Sequence, residues 1–155
     1  MKTKTVEPAE IAHFAKDSSS WWDPEGPFRP LHWMTPVRME FIRDQVTAHF
    51  GLGVSLSPLK GLTAVDIGCG GGLACEPIAR MGAKTTGVDA DGNAIAVARA
   101  HAAEQGLDIT YIHGAAEDLV DQKKTYDVVL ALEVIEHVSD PDAFISLCSN
   151  LLKPG

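Results

Sequence analysis

The sequence predicts an α/β fold, a parallel sheet with helices on both faces. Three observations carry that expectation. The run Thr63-Ala-Val-Asp-Ile-Gly-Cys-Gly-Gly-Gly72 is an apolar strand running into a glycine turn. A second strand, Thr86-Gly-Val-Asp89, ends in an acid 21 residues after Gly68. From residue 62 onward, short apolar runs alternate with helical patterns. Strand, glycine turn, helix, strand and acid together outline a nucleotide-binding crevice in an open sheet.

The elements follow in order. Residues 8–17 predict a short helix with Ile11, Phe14 and Ala15 on one side, broken at Ser18-Ser-Ser20. Four prolines between Pro24 and Pro36 are expected to forbid a regular helix there. All three tryptophans fall in this stretch or at its end. So much aromatic area predicts a lid on the core, a wall of a ligand pocket, or both. Thr35-Pro36 is expected to open the next helix, with apolar positions Val37, Phe41, Ile42, Val46 and Phe50. Residues 51–61 read as a linker.

Strands are then expected over 62–67, 84–88, 109–112 and 126–132, with helices over 72–81 and 92–105. Asp91 or a residue near it is expected to cap the second of these helices, and Gly106 to stop it. A last helix starts near Asp140-Pro141, its Phe144, Leu147, Cys148 and Leu151 forming a sheet-facing stripe. The organisation is an N-terminal segment 1–50, a linker 51–61 and an α/β core 62–155. After Lys153-Pro-Gly155 this architecture calls for another strand. The sheet is therefore expected to be incomplete at its C-terminal end, with an open edge beside the 126–132 strand that invites association.

The length suits one domain with a real core. A net charge of −8 argues against a broad nucleic-acid surface. Residues 113–142 hold eight Asp or Glu against two Lys, read equally as a solvated face or an acidic pocket. Cys69, Cys75 and Cys148 form no secreted disulfide framework, and Cys69 reads as a turn filler. The N-terminus lacks an apolar signal core, so a reducing, intracellular location is expected. No apolar run approaches membrane-spanning length.

Gly68, Gly70 and Gly72 let a tight turn leave the strand, bring backbone close to a ligand and start a helix against the sheet. Asp66 either organises this turn or orients a ligand ammonium, and the positive end of the following helix suits a carboxylate. Asp89 is placed to accept both hydroxyls of a ribose. The pattern is GxGxG, with Leu73 where a dinucleotide fingerprint has its third glycine. That points away from NAD and toward S-adenosyl-L-methionine. In Gly114-Ala-Ala-Glu-Asp118, Ala116 leaves room for an adenine ring, and Glu117 or Asp118 accepts from its amino group or caps a helix.

The run Glu133-Val-Ile-Glu-His-Val138 leaves the end of the 126–132 strand. If it turns helical, Glu133, Glu136 and His137 share one face. Two carboxylates and an imidazole can hold a divalent ion, with Mg, Mn, Fe and Zn all open, or they form a rim acid pair with a hydrogen-bonded histidine. His137 is also a candidate proton acceptor.

These residues resemble the class I S-adenosylmethionine-dependent methyltransferases, and among them the 3-demethylubiquinone 3-O-methyltransferase family of ubiquinone biosynthesis. The resemblance rests on Trp21-Trp-Asp-Pro-Glu-Gly, Leu31-His, Pro36-Val-Arg38, the Asp66-to-Gly72 run, Gly87-Val-Asp89-Ala, His101-Ala, Tyr111, Glu133-Val-Ile-Glu-His-Val138 and Asp140-Pro141. It implies a Rossmann-like sheet. It also implies O-methylation of a polyprenylated catechol or phenol, cofactor contacts at Arg38, Gly68, Asp89 and Leu132, and a divalent cation, with Mg the expected ion, at Glu133, Glu136 and His137. A cytoplasmic or mitochondrial-matrix protein follows, peripheral at the inner membrane, with a quinone-biosynthesis complex as a potential partner. The family's C-terminal part is missing from the resemblance. Other acceptors, a non-catalytic cofactor-binding fragment and, weakest, an NAD enzyme are the rival readings.

Overall fold

The computed structural model describes Thr5 and residues 7–155; residues 1–4 and 6, part of the expected N-terminal segment, lie outside the described residues. Four strands form one parallel sheet: β1 (Thr63–Ile67), β2 (Lys84–Asp89), β3 (Ile109–His113) and β4 (Val128–Leu130). Their order is β3-β2-β1-β4. The chain therefore reverses direction of travel across the sheet at β1 and β4, and the crevice beyond the strand tips is where open sheets bind ligands.

In register, Asp66 stands beside Gly87, and Gly87 beside Tyr111, so the three share a face. That face is covered by α2 (Arg29–Phe50), α3 (Cys75–Arg80) and α4 (Gly92–Glu104). Val65, Ile67 and Val88 point the other way, against α5 (Ala116–Asp121) and α6 (Pro141–Asn150). Helices thus cover both faces of the sheet, as parallel sheets require. The stripe predicted for α6 is seated here: Phe144 and Leu151 are buried, with Leu147 and Cys148 packed beside them. Asp91 and Asp140 cap α4 and α6, accepting from the backbone N–H groups of Asn93 and Ala143.

Several expectations need correction. The proline-rich stretch does not exclude helix throughout, since α2 begins at Arg29 and runs for 22 residues. Pro30 sits in the first turn, where its missing N–H is not needed. Pro36 lies inside the helix, and the neighbouring Thr35 hydroxyl donates to the Leu31 carbonyl at 2.7 Å. Burial of Met39 and Ile42 in the core holds the helix through the proline. Val37 and Phe41 face solvent rather than core. The helix α3 begins at Cys75, so Gly72 belongs to the turn. The crossover after β3 contains α5, and β4 is shorter than expected. Just before β4, Tyr126 forms an isolated parallel bridge to Leu152 at that edge. The helix α1 (Pro8–Ala15) forms as expected, followed by one tight turn at Ser18–Ser20.

Candidate functional site

The glycine turn is held from below by sheet backbone and from one side by Asp89. Gly68 and Cys69 donate to the Val88 carbonyl. The Asp89 carboxylate accepts from Gly70 N–H and from Asp91 N–H, both at 2.8 Å. Burial nevertheless raises its pKa. Gly68 has φ +70°, and a Cβ there would stand 2.7 Å from the Val134 side chain. Gly72 has φ +91°, and its missing Cβ leaves room for the Tyr111 hydroxyl. Glycine is required at both on conformational and steric grounds.

Asp66 is buried, 3 % exposed, with only the Cys75 thiol near Oδ2 at 3.7 Å. Its Oδ1 has no partner. Burial pushes its pKa up to about 7, with the nearby Asp89 charge adding to the shift.

The tryptophan segment clamps this turn. Trp22 Nε1–H donates to the Gly71 carbonyl at 2.9 Å, and its ring stacks on His101 at 3.6 Å. His101 Nδ1 meets Glu76, a fully buried acid of α3 that also pairs with Arg80. Trp21 stacks on Phe28 and lines the cavity, whereas Trp33 is exposed with Arg29 over its ring. The segment is thus both lid and wall.

Above the turn lies a cavity of about 550 Å³. Of the expected site residues, Arg38, Asp66, Gly68, Gly70, Asp89, Ala116, Leu132, Glu133, Glu136 and His137 line it. Gly72 and Glu117 do not. Glu117 accepts from both the N–H and the hydroxyl of Thr5, and Asp118 caps α5 at Ala115 N–H. The acid-rich run is in part a pocket wall, as one reading expected.

Glu133, Glu136 and His137 do not share a helical face. Glu133 has φ +56°, and only Ile135–His137 makes a tight turn. Glu133 pairs with Arg38, and His137 Nδ1 lies 2.8 Å from Glu10 of α1, with the Phe14 ring edge-on. Glu136 is 4.0 Å from His137 Nε2. Among the described residues no three His, Cys, Asp or Glu converge to hold a metal ion, so this arrangement does not fit the expected ligand set. Glu10, Thr5 and Glu76 went unrecognised in the sequence. A mid-helix acid between Cys75 and Ile78 was the only signal for Glu76.

A family model described as "Methyltransferase domain" matches residues 65–155. The chain belongs to this family. The methyltransferase domain keeps its likeness well beyond those residues. Over 152 residues, 97% of this chain and 59% of the relative, it is 50% identical to the ubiquinone biosynthesis O-methyltransferase of Maricaulis maris. Over 154 residues, 99% of this chain and 62% of the relative, it is 50% identical to that of Dinoroseobacter shibae. The homology expected from the Trp-Trp-Asp and Glu-x-x-Glu-His-Val runs therefore holds along nearly the whole chain. The chain spans about three fifths of the length of these relatives. In fold it matches magnesium protoporphyrin IX methyltransferase from Synechocystis PCC 6803, solved with bound SAM: TM-score 0.73, 22% identity, covering 94% of this chain and 71% of that one. The methyltransferase sheet is present with four strands among the described residues.

Proposed function

We propose that this chain is the S-adenosyl-L-methionine-binding core of an O-methyltransferase acting on a hydroxyl of a polyprenylated catechol or phenol in ubiquinone biosynthesis. The observation that carries the reading is Asp89, fixed by two backbone N–H groups at the strand tip and facing the cavity. Each oxygen keeps a lone pair for a ribose hydroxyl. The unpartnered Asp66 Oδ1 fits a ligand ammonium. Among the described residues the lining holds seven carboxylates and one guanidinium, an environment that suits a ligand of net positive charge and opposes a pyrophosphate. That favours the sulfonium cofactor over NAD.

When bound, the cofactor supplies an electrophilic methyl group. The protein's part is to align the acceptor oxygen and take its proton. With His137 Nδ1–H donating to Glu10, Nε2 carries the lone pair and becomes the acceptor for the phenolic proton. Arg38 holds the carboxylate end, Gly68, Gly70 and Gly72 keep the turn open, and Ala116 and Leu132 flank the adenosine. Glu117 spends Oε1 on both Thr5 bonds, and Oε2, buried and without a partner, is the oxygen left for an adenine amino group. A divalent ion at Glu133, Glu136 and His137 is a separate proposal, which requires these groups to leave Arg38 and Glu10; no step depends on it.

A polyprenyl tail partitions into lipid, so the same reading includes peripheral contact at the inner membrane face, from the cytoplasm or the mitochondrial matrix, and quinone-biosynthesis proteins as partners. Exposed Trp33, Val37 and Phe41 lie on α2 beside Met34 of the cavity wall, which supports that contact. Among the described residues no helix is long and apolar enough to cross a membrane. The test is titration calorimetry with S-adenosylhomocysteine, then transfer of a labelled methyl group to a prenylated catechol with and without chelator. Binding and transfer support the reading. Binding without transfer to any catechol makes the chain a cofactor-binding module, and transfer unaffected by chelation removes the ion.

A further inference from the structure

Arg38 is the only Lys or Arg among the described residues that line the cavity. Its guanidinium is already occupied, because Glu133, 95 residues away, turns its carboxylate onto it. Glu133 does so from a left-handed backbone conformation, φ +56°, which a residue with a side chain adopts only at a cost. Both partners are partly open to solvent, 27% and 44% exposed, so the pair opens easily.

We propose that this pair is an exchange latch: Glu133 holds Arg38 in the empty site, and the α-carboxylate of an incoming S-adenosyl ligand displaces it. The proposal rests on the cofactor reading above. The amino-acid end of such a ligand brings one carboxylate into a cavity whose other charged walls include Glu10, Asp66, Asp89 and Glu136. Arg38 is its one strong partner, and a guanidinium fork offers a carboxylate two parallel bonds. The two carboxylates therefore compete for the same donor. Displacement frees Glu133 and lets its backbone relax, one residue from the Val134 side chain that packs against Gly68 and four from His137. Cofactor binding is thereby coupled to the shape of the rim where an acceptor would sit.

Two ligands separate the ends of the cofactor. S-Adenosylhomocysteine carries the amino-acid end, and 5′-methylthioadenosine lacks it. In calorimetry, Glu133→Gln is expected to tighten S-adenosylhomocysteine about two- to fivefold, the range of a partly exposed ion pair. Methylthioadenosine should bind unchanged. Glu133→Gly, which accepts the same backbone angle without strain, should tighten the first ligand in the same direction. In an Arg38→Gln background, Glu133→Gln should have no effect. Unchanged or weaker S-adenosylhomocysteine binding in both Glu133 variants overturns the latch, as does equal tightening of both ligands. If the unaltered chain binds neither ligand, the cofactor reading falls and the latch with it.

Discussion

Two walls of one cavity are built in opposite ways. The strand-tip wall, from Asp66 to Asp91, is local in sequence and held largely by main-chain groups: Gly70 N–H and Asp91 N–H on Asp89, Gly68 N–H on Val88. The rim wall joins distant side chains: Arg38 with Glu133 and Glu10 with His137. Backbone geometry fixes the first before any ligand arrives. The second is a set of partly exposed ion pairs, individually weak and easily exchanged. On the proposed reading, the rigid wall grips the adenosine and the adjustable rim meets the acceptor, as a transfer between two bound molecules needs.

The sharpest way to break this contrast is Asp89→Ala. It removes the proposed ribose acceptor and leaves the Gly70 and Asp91 N–H groups unpaired. About a hundredfold loss of S-adenosylhomocysteine affinity is expected, from two charge-assisted hydrogen bonds. Calorimetry showing no loss would remove Asp89 from the binding wall.

Asp66 gives the next largest effect, read in pH. Its folded pKa is raised to about 7 by burial, above the ordinary carboxylate value of 3.8. The folded state therefore holds the proton more tightly than the unfolded chain. Stability from this group is fully present below about pH 4 and is lost as pH rises toward and through 7. Asp66→Asn should remove that loss and raise stability at pH 8 by about 2–4 kcal/mol relative to the unaltered chain. Urea midpoints at pH 5 and pH 8 measure it. Equal slopes for both proteins would mean that Asp66 is solvated.

Trp22→Phe is the mildest. The stack on His101 is retained and only the bond to the Gly71 carbonyl goes, so a stability loss of about 1 kcal/mol is expected in the same urea experiment. A loss several times larger would show the lid to be as structural as the turn beneath it.

The same contrast explains what could be read from the sequence. Asp66, the three glycines and Asp89 sit at intervals dictated by strand, turn and helix lengths, so their spacing carries their geometry. The stripe of α6 and the cap at Asp91 were legible for the same reason. The path of α2 through Pro36 was not, because burial of Met39 and Ile42 decided it. Nor was the Glu10–His137 pair, since nothing in either residue's local sequence names a partner across the chain. The shared face expected for Glu133, Glu136 and His137 assumed a helix where the backbone turns left-handed at Glu133.

The bond between Thr5 and Glu117 spans 112 residues, and Ser139 N–H donates to the Thr5 carbonyl from farther still. Closing so long a loop is entropically unrewarded until the sheet is in place. Thr5 is therefore among the last residues to find its seat, and the pocket gains its roof only after its floor has set.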